Sequence, residues 1–126
     1  MINLLLVMAG GAVGSALRYG IGIALSSFSN SFPFATIVVN IVGSFMLGFI
    51  AGTIGTPFEI DQKTKLILGT GLCGGFTTYS AFAVETVALI EQRSALALGT
   101  YIIITLVGCL ASAWAGIALS RSIASS

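Results

Sequence analysis

The chain alternates four long apolar stretches with three short polar connections. The apolar stretches cover about residues 2–25, 34–54, 66–90 and 96–119. Each can cross a bilayer as a helix, which takes about 20 mostly apolar residues. The connection at 26–33 is uncharged, whereas those at 55–65 and 91–95 carry most of the charged side chains. The pattern predicts one all-α integral membrane domain over residues 1–126, with four transmembrane helices.

The composition agrees with a membrane protein and argues against several other classes of protein. Hydrophobic residues make up 56% of the chain and charged residues 7%, against about 25% charged residues in a soluble domain. The formal net charge of +1 offers no basic surface for nucleic acid. The chain has no histidine, and no nucleophile–base pair is apparent, so we do not expect an enzyme. Cys73 and Cys109 lack partners at ligand spacing and fit small buried side chains better than a disulfide or metal pair.

The third apolar stretch contains a run that should interrupt a helix. Residues 69–82 read GTGLCGGFTTYSAF, with a glycine pair at 74 and 75 followed by two threonines. Each glycine costs about 1 kcal/mol relative to alanine in a helix, so we expect a break near the middle of this span. Irregular backbone at membrane depth survives only inside protein or beside a wet cavity. Such breaks often form ion sites, because their carbonyls suit a cation and their N–H groups suit an anion.

Polar and small side chains recur every four residues in the second and fourth stretches. The second carries Thr36, Asn40, Ser44 and Gly48 on one face, which should face the protein interior or water. The Asn40 carboxamide could either form hydrogen bonds between helices or act as a ligand on an ion path. The fourth stretch carries Tyr101, Thr105, Cys109 and Ser112, whose hydroxyls favour neither ion sign. Glycines four apart, such as Gly10 and Gly14, predict close helix packing.

Three other features each have more than one interpretation. Arg18 is either an anchor at the membrane edge or a fixed cation that draws anions into a vestibule. Glu85 follows the break and fits a vestibule group better than a proton relay. Tyr79 and Phe82 lie three residues apart on one helix face, where they either pack or turn their positive ring edges toward an anion.

The distribution of positive charge indicates little preference for one orientation. Lys63, Lys65 and Arg121 fall on one side of the membrane, whereas Arg93, together with Arg18 if it reaches that surface, falls on the other. Such a small bias permits insertion in both orientations. Four helices also leave little room for a central pore, so we expect an oligomer with the path between subunits.

Three motifs in order resemble the bacterial fluoride channels of the Fluc or CrcB family. They are GGAVGSALRY at 10–19, TIVVNIVGSF at 36–45, and the run at 69–82. The resemblance covers nearly the whole chain. It implies an antiparallel, dual-topology homodimer in the bacterial plasma (inner) membrane, with two pores that passively export toxic fluoride.

The resemblance also implies roles for individual residues. Asn40 corresponds to the family's pore asparagine. Tyr79 and Phe82 correspond to its two pore phenylalanines, so the tyrosine at position 79 departs from the family. The hydroxyl track maps onto Thr36, Thr78, Tyr101, Thr105 and Ser112. Arg18 and Glu85 are the vestibule charges. A structural sodium ion is implied at the dimer centre, held by the backbone carbonyls of Gly74 and Thr77.

Two other functions compete with a fluoride channel. A small multidrug-type, proton-coupled exporter is also short and four-spanning, but it needs a titratable carboxylate deep in a span. The first, second and fourth stretches contain no acidic residue. An accessory membrane subunit without transport of its own is the other alternative.

Overall fold

The computed structural model describes residues 1–29 and 31–126. Its helices include four that are long and apolar enough to cross a membrane: Ile2–Ala24, Phe34–Gly52, Gln62–Glu91 and Ala95–Ala124. We label the first two α1 and α2, and the last α6. The prediction of four spans is confirmed, although the third and fourth spans are longer than expected. The chain is a multi-pass membrane protein.

The third span is assembled from four helical pieces. They are α3 (Gln62–Thr64), a π-helical segment (Lys65–Cys73), α4 (Gly74–Phe76) and α5 (Tyr79–Glu91). Between α4 and α5, Thr77 and Thr78 are extended, with ψ angles of 157° and 114°. The predicted break is therefore confirmed, but it falls on the threonines, and the glycine pair before them stays helical. The sequence pattern gave no indication of the π-helical segment.

The glycines of the third span are used to pack closely on α1. A Cβ atom added at Gly75 would lie 2.5 Å from the Gly11 carbonyl oxygen. A methyl group at Gly14 would overlap the Leu72 carbonyl oxygen, and one at Gly10 would also meet main-chain atoms of the third span. The close packing predicted for these two α1 glycines is confirmed. This close packing explains why a helical part of the third span contains glycines.

Helix α2 lies at the centre of the fold and packs along α6. Gly48 and Gly116 allow this, because a Cβ atom at either would overlap main-chain atoms of the other helix. Thr36, Asn40 and Gly48 are buried, so the prediction that this face of α2 points inward is confirmed. The outward face of α6 is apolar, as suits contact with lipid: the exposed fraction of Trp114 is 73%.

The third span begins at a charged loop. Asp61 caps it by accepting hydrogen bonds from the backbone N–H groups of Lys63 and Thr64, at 3.0 and 3.1 Å. The Thr64 hydroxyl also donates to this carboxylate and holds the pKa of Asp61 below its usual value. Lys65 donates to Glu59, which lowers the pKa of that carboxyl. These contacts fix the start of the third span.

Candidate break-centred ion path

Asn40 and Thr78 exchange two hydrogen bonds across the break. The Asn40 carboxamide Nδ2 donates to the Thr78 carbonyl oxygen at 3.0 Å, and the Thr78 N–H donates to Asn40 Oδ1 at 2.8 Å. The side chain of Asn40 therefore takes the place of backbone partners that the interrupted helix has lost. Since a carboxamide carries two N–H donors, one remains for another acceptor.

Two backbone carbonyls at the break are deprived of their regular helical partners. In an α-helix the Thr78 N–H would donate to Gly74, but here it donates to Asn40. In the same way, the Ala81 N–H would donate to Thr77, but it donates to Thr78 Oγ1 at 3.1 Å. The carbonyl oxygens of Gly74 and Thr77 are thus left without the bonds that a continuous helix would supply.

Arg18 lies beside the break. Its Nε donates to the Gly75 carbonyl oxygen at 3.0 Å. The side chain is half-buried and lines a cavity of 420 Å³, which we call the vestibule. Glu85, Thr36 and Thr78 line the same cavity. Arg18 and Glu85, the two charged residues to which the family resemblance assigns a vestibule role, thus line one cavity.

The Glu85 carboxylate is held by two hydroxyl groups. Thr36 Oγ1 donates to Oε1 at 2.9 Å, and the Tyr101 hydroxyl donates to Oε2 at 2.5 Å. Tyr101 is fully buried, with no exposed surface. Bonds from neutral donors to a carboxylate are stronger than those between neutral groups. Glu85 is consequently fixed in position, with Thr36 and Tyr101 oriented toward it.

A second cavity, which we call the groove, runs beside α2, the break and α6. Its volume is 350 Å³, and its polar or aromatic lining includes Asn40, Ser44, Thr77, Thr78, Tyr79, Phe82, Thr105 and Cys109. The rings of Tyr79 and Phe82 lie 5.7 Å apart at an interplanar angle of 49°. Thr78 lines both the groove and the vestibule, so the two cavities lie next to each other at the break.

The hydroxyl of Thr105 is a buried group without a partner in a residue that borders the groove. Thr105 is only 5% exposed, and its Oγ1 has no hydrogen-bond partner among residues 1–29 and 31–126. An unpartnered buried hydroxyl costs about 1–3 kcal/mol.

The structure separates the predicted pore residues into three places. Five line the groove: Asn40, Thr78, Tyr79, Phe82 and Thr105. Thr36 lines the vestibule. Tyr101 does not line it, but its hydroxyl donates to Glu85, which does. The Ser112 hydroxyl instead donates to the Ile41 carbonyl oxygen at 2.7 Å, where it joins α6 to α2.

Cys109 lines the groove and was not among the residues that the sequence singled out for the site. Its position four residues after Thr105 on one helix face was the signal that could have identified it. The prediction that both cysteines are buried holds for Cys73, which is 1% exposed, but Cys109 is half-buried.

Comparison with known proteins agrees with this architecture. The family model described as "CrcB-like protein, Camphor Resistance (CrcB)" matches residues 5–117. A relative from Rhizobium johnstonii, "Fluoride-specific ion channel FluC", is 42% identical over 98% of this chain and 100% of its own length. A protein of the same name from Prosthecochloris aestuarii is 42% identical over 93% of this chain and 91% of its own. "Fluoride-specific ion channel FluC 2" of Rhodococcus jostii is 42% identical over 94% of this chain and 99% of its own. The four spans, the broken third helix and these matches over nearly the full length show that the chain belongs to the CrcB-like protein family.

Proposed function

We propose that this protein is a fluoride-selective channel that lets toxic fluoride leave the cell passively. The observation that carries the proposal is the groove: it collects hydrogen-bond donors and an aromatic pair inside the membrane span. Asn40 has an unused N–H donor there, and in the described part of the chain no acidic side chain lines the groove. The three relatives named above are described as fluoride-specific channels.

The lining suits a small anion that must lose its water. Fluoride holds its hydration shell tightly, so a conducting path has to replace that shell with other donors of moderate strength. Hydroxyl and carboxamide N–H groups provide this, and the positive ring edges of Phe82 and Tyr79 add weaker contacts. The Tyr79 hydroxyl adds a donor that phenylalanine would lack.

The vestibule would admit anions next to the break. Arg18 supplies a positive charge inside the span, which raises the local concentration of anions. The negative charge of Glu85 is partly offset by the two hydroxyls that donate to it. Because Thr78 borders both cavities, an ion that moves from the vestibule to the groove has to pass this residue.

The protein acts, on this proposal, as an antiparallel homodimer inserted in both orientations in the bacterial plasma (inner) membrane. The groove is open on one side, and Tyr79 at its edge is 77% exposed. A second copy would cover that side and turn each groove into a closed path. The small difference in positive charge between the two membrane sides favours neither orientation strongly.

A structural sodium ion fits the break and belongs to the same proposal. The carbonyl oxygens of Gly74 and Thr77 have lost their regular helical donors, and Gly74 is exposed. Oxygen atoms of this kind are ligands that a hard cation prefers, and unwound backbone binds sodium in other membrane proteins. The two residues from each subunit would hold the ion at the dimer centre. Its charge would there link the broken third spans of the two subunits.

A liposome assay tests the function directly. The purified chain, reconstituted in vesicles loaded with potassium fluoride, should release fluoride when valinomycin balances the charge, because the groove offers donors of the type a dehydrated anion needs. Release is followed with a fluoride electrode, and potassium chloride vesicles are the matched control. Chloride efflux equal to fluoride efflux would overturn the proposal. Fluoride efflux no faster than that from vesicles without the protein would overturn it as well. Proton-coupled uptake of an organic cation would favour the exporter instead.

Labelling of one terminus tests the assembly. A cysteine placed at Ser126 in a chain whose Cys73 and Cys109 are replaced is treated with a membrane-impermeant maleimide, before and after the cells are permeabilised. Because the charge bias is small, roughly half of the chains should react from outside. A chain carrying added lysines at its C-terminus is the control, since it should insert in one orientation. Labelling of all or none of the unaltered termini from outside would contradict the dual-topology dimer.

A further inference from the structure

Ser44 is a hydroxyl residue of the groove to which the family resemblance assigns no role. It lies one helical turn after Asn40 on the same face of α2, is half-buried, and lines the groove. The neighbouring Gly43 brings α2 close to the break, because a Cβ atom there would overlap the side chain of Thr77. Ser44 therefore lies beside the break, on the side of Asn40 that is away from Thr36 and the vestibule.

The Ser44 hydroxyl is both accessible and without a partner in the described chain. Serine in a helix commonly donates to a carbonyl oxygen of the preceding turn, and Ser112 of α6 donates to the Ile41 carbonyl oxygen of α2. The Ser44 hydroxyl makes no hydrogen bond among residues 1–29 and 31–126, and its oxygen is not buried, whereas the unpartnered oxygen of Thr105 is. An ion in the groove would therefore meet the Ser44 hydroxyl directly.

We propose that Ser44 is a fluoride-binding residue, whose hydroxyl donates a hydrogen bond to the ion once the ion has moved on from Asn40. The inference rests on the proposed function, because it takes the groove to be the conducting path. Four residues of an α-helix rise about 6 Å, so Asn40 and Ser44 provide donors at two successive positions along α2. The next residue of α2 that lines the groove is Leu47, which has no donor on its side chain.

A hydroxyl at this position suits conduction better than a charged group would. A hydrogen bond from a neutral donor to an anion is stronger than one between two neutral groups, so the Ser44 hydroxyl replaces part of the water that fluoride loses. It does not hold the ion as tightly as a full positive charge, and conduction requires that the ion leave again. Within the described chain, no lysine or arginine lines the groove. Without this hydroxyl, the ion would pass from Asn40 toward the apolar end of the groove with one donor fewer.

Fluoride efflux from vesicles that contain Ser44→Ala tests the inference. Alanine removes the donor and occupies less space than serine, so slower efflux cannot result from a narrower path. We expect the efflux rate to fall roughly tenfold, because a hydrogen bond to a charged group is lost at one step of the path. The denaturation midpoint in detergent should stay near that of the unaltered protein, because the hydroxyl bonds no other group of the described chain.

Two further variants show whether the effect belongs to the hydroxyl and to its place in the groove. Ser44→Thr keeps the hydroxyl and should conduct fluoride faster than Ser44→Ala does. Ser122→Ala is the matched control, because it makes the same chemical change in an exposed residue of α6 that lines neither the groove nor the vestibule. Its efflux should equal that of the unaltered protein.

The outcomes separate this inference from the function on which it rests. No fluoride efflux from the unaltered protein defeats the channel proposal, and the inference falls with it. Efflux from Ser44→Ala as fast as that from the unaltered protein overturns the inference alone. Efflux from Ser44→Thr as slow as that from Ser44→Ala also overturns it, and this comparison decides the matter even if Ser44→Ala unfolds at a lower midpoint. An equal slowing in Ser122→Ala would show that the effect does not belong to the groove, and would overturn the inference too.

Discussion

Replacement of Asn40 by leucine is expected to destabilise the protein by roughly 2–4 kcal/mol and to reduce fluoride efflux strongly. The carboxamide satisfies both the N–H and the carbonyl of Thr78 across the break. Each buried group left without a partner costs about 1–3 kcal/mol, and Thr78 is half-buried, so the lower part of that range applies. The loss of stability is measured as a decrease in the denaturation midpoint in detergent, and the loss of efflux in vesicles.

A matched substitution shows whether the effect belongs to the break. Asn3→Leu makes the same chemical change in an exposed residue at the start of α1. It should leave the midpoint nearly unchanged, because it disturbs no buried hydrogen bond. If Asn40→Leu unfolds at the same midpoint as Asn3→Leu, the two bonds between Asn40 and Thr78 do not stabilise the fold.

The same variant bears on the proposed sodium site. Asn40 accepts the hydrogen bond from Thr78 that would otherwise go to the Gly74 carbonyl. Without the carboxamide, the two bonds that hold the break in its extended form are lost, and the Gly74 and Thr77 carbonyl oxygens are no longer held in place for a cation. A ligand that binds only the folded state raises its stability according to its affinity. We therefore expect sodium to raise the denaturation midpoint of the unaltered protein more than that of Asn40→Leu.

The features that follow from side-chain polarity could be predicted from the sequence. The four spans follow from long apolar stretches, and the inward face of α2 follows from polar residues four apart. Polar side chains turn away from lipid however the helices pack against one another. Both features therefore follow from the polarity of the residues alone. Arg18 and Glu85 were each considered as vestibule groups, and both line the same cavity.

The features that depend on contacts between helices could not be predicted in the same way. The glycine pair was expected to break the third span, yet Gly75 remains helical because it packs against Gly11 of α1. The extended threonines are instead supported by Asn40, a residue 38 positions earlier in the chain. The role of Ser112 likewise depends on its contact with Ile41 in another helix. A one-dimensional pattern of glycines and hydroxyls does not record such partners.

Replacement of Gly14 by alanine is expected to destabilise the protein by about 1–3 kcal/mol and to disturb the break, because inserting a methyl group into a packed contact has costs of this size. The added methyl group would overlap the Leu72 carbonyl oxygen and lie 2.8 Å from the Phe76 backbone nitrogen. Neither atom can move as the end of a flexible side chain would. Helix α1 must therefore shift away from the third span, and with it Arg18, which bonds the Gly75 carbonyl.

Gly20→Ala supplies the control for this prediction on the same helix. No atom lies within 4 Å of a Cβ atom placed at Gly20, and alanine favours a helix over glycine by about 1 kcal/mol. This variant should unfold at the same midpoint as the unaltered protein or a slightly higher one, and fluoride efflux should persist. The comparison separates the contact from the residue type, since both variants make the same chemical change in α1. If the two variants unfolded at equal midpoints, the close approach of α1 to the third span would not stabilise the protein, and its glycines would need another explanation.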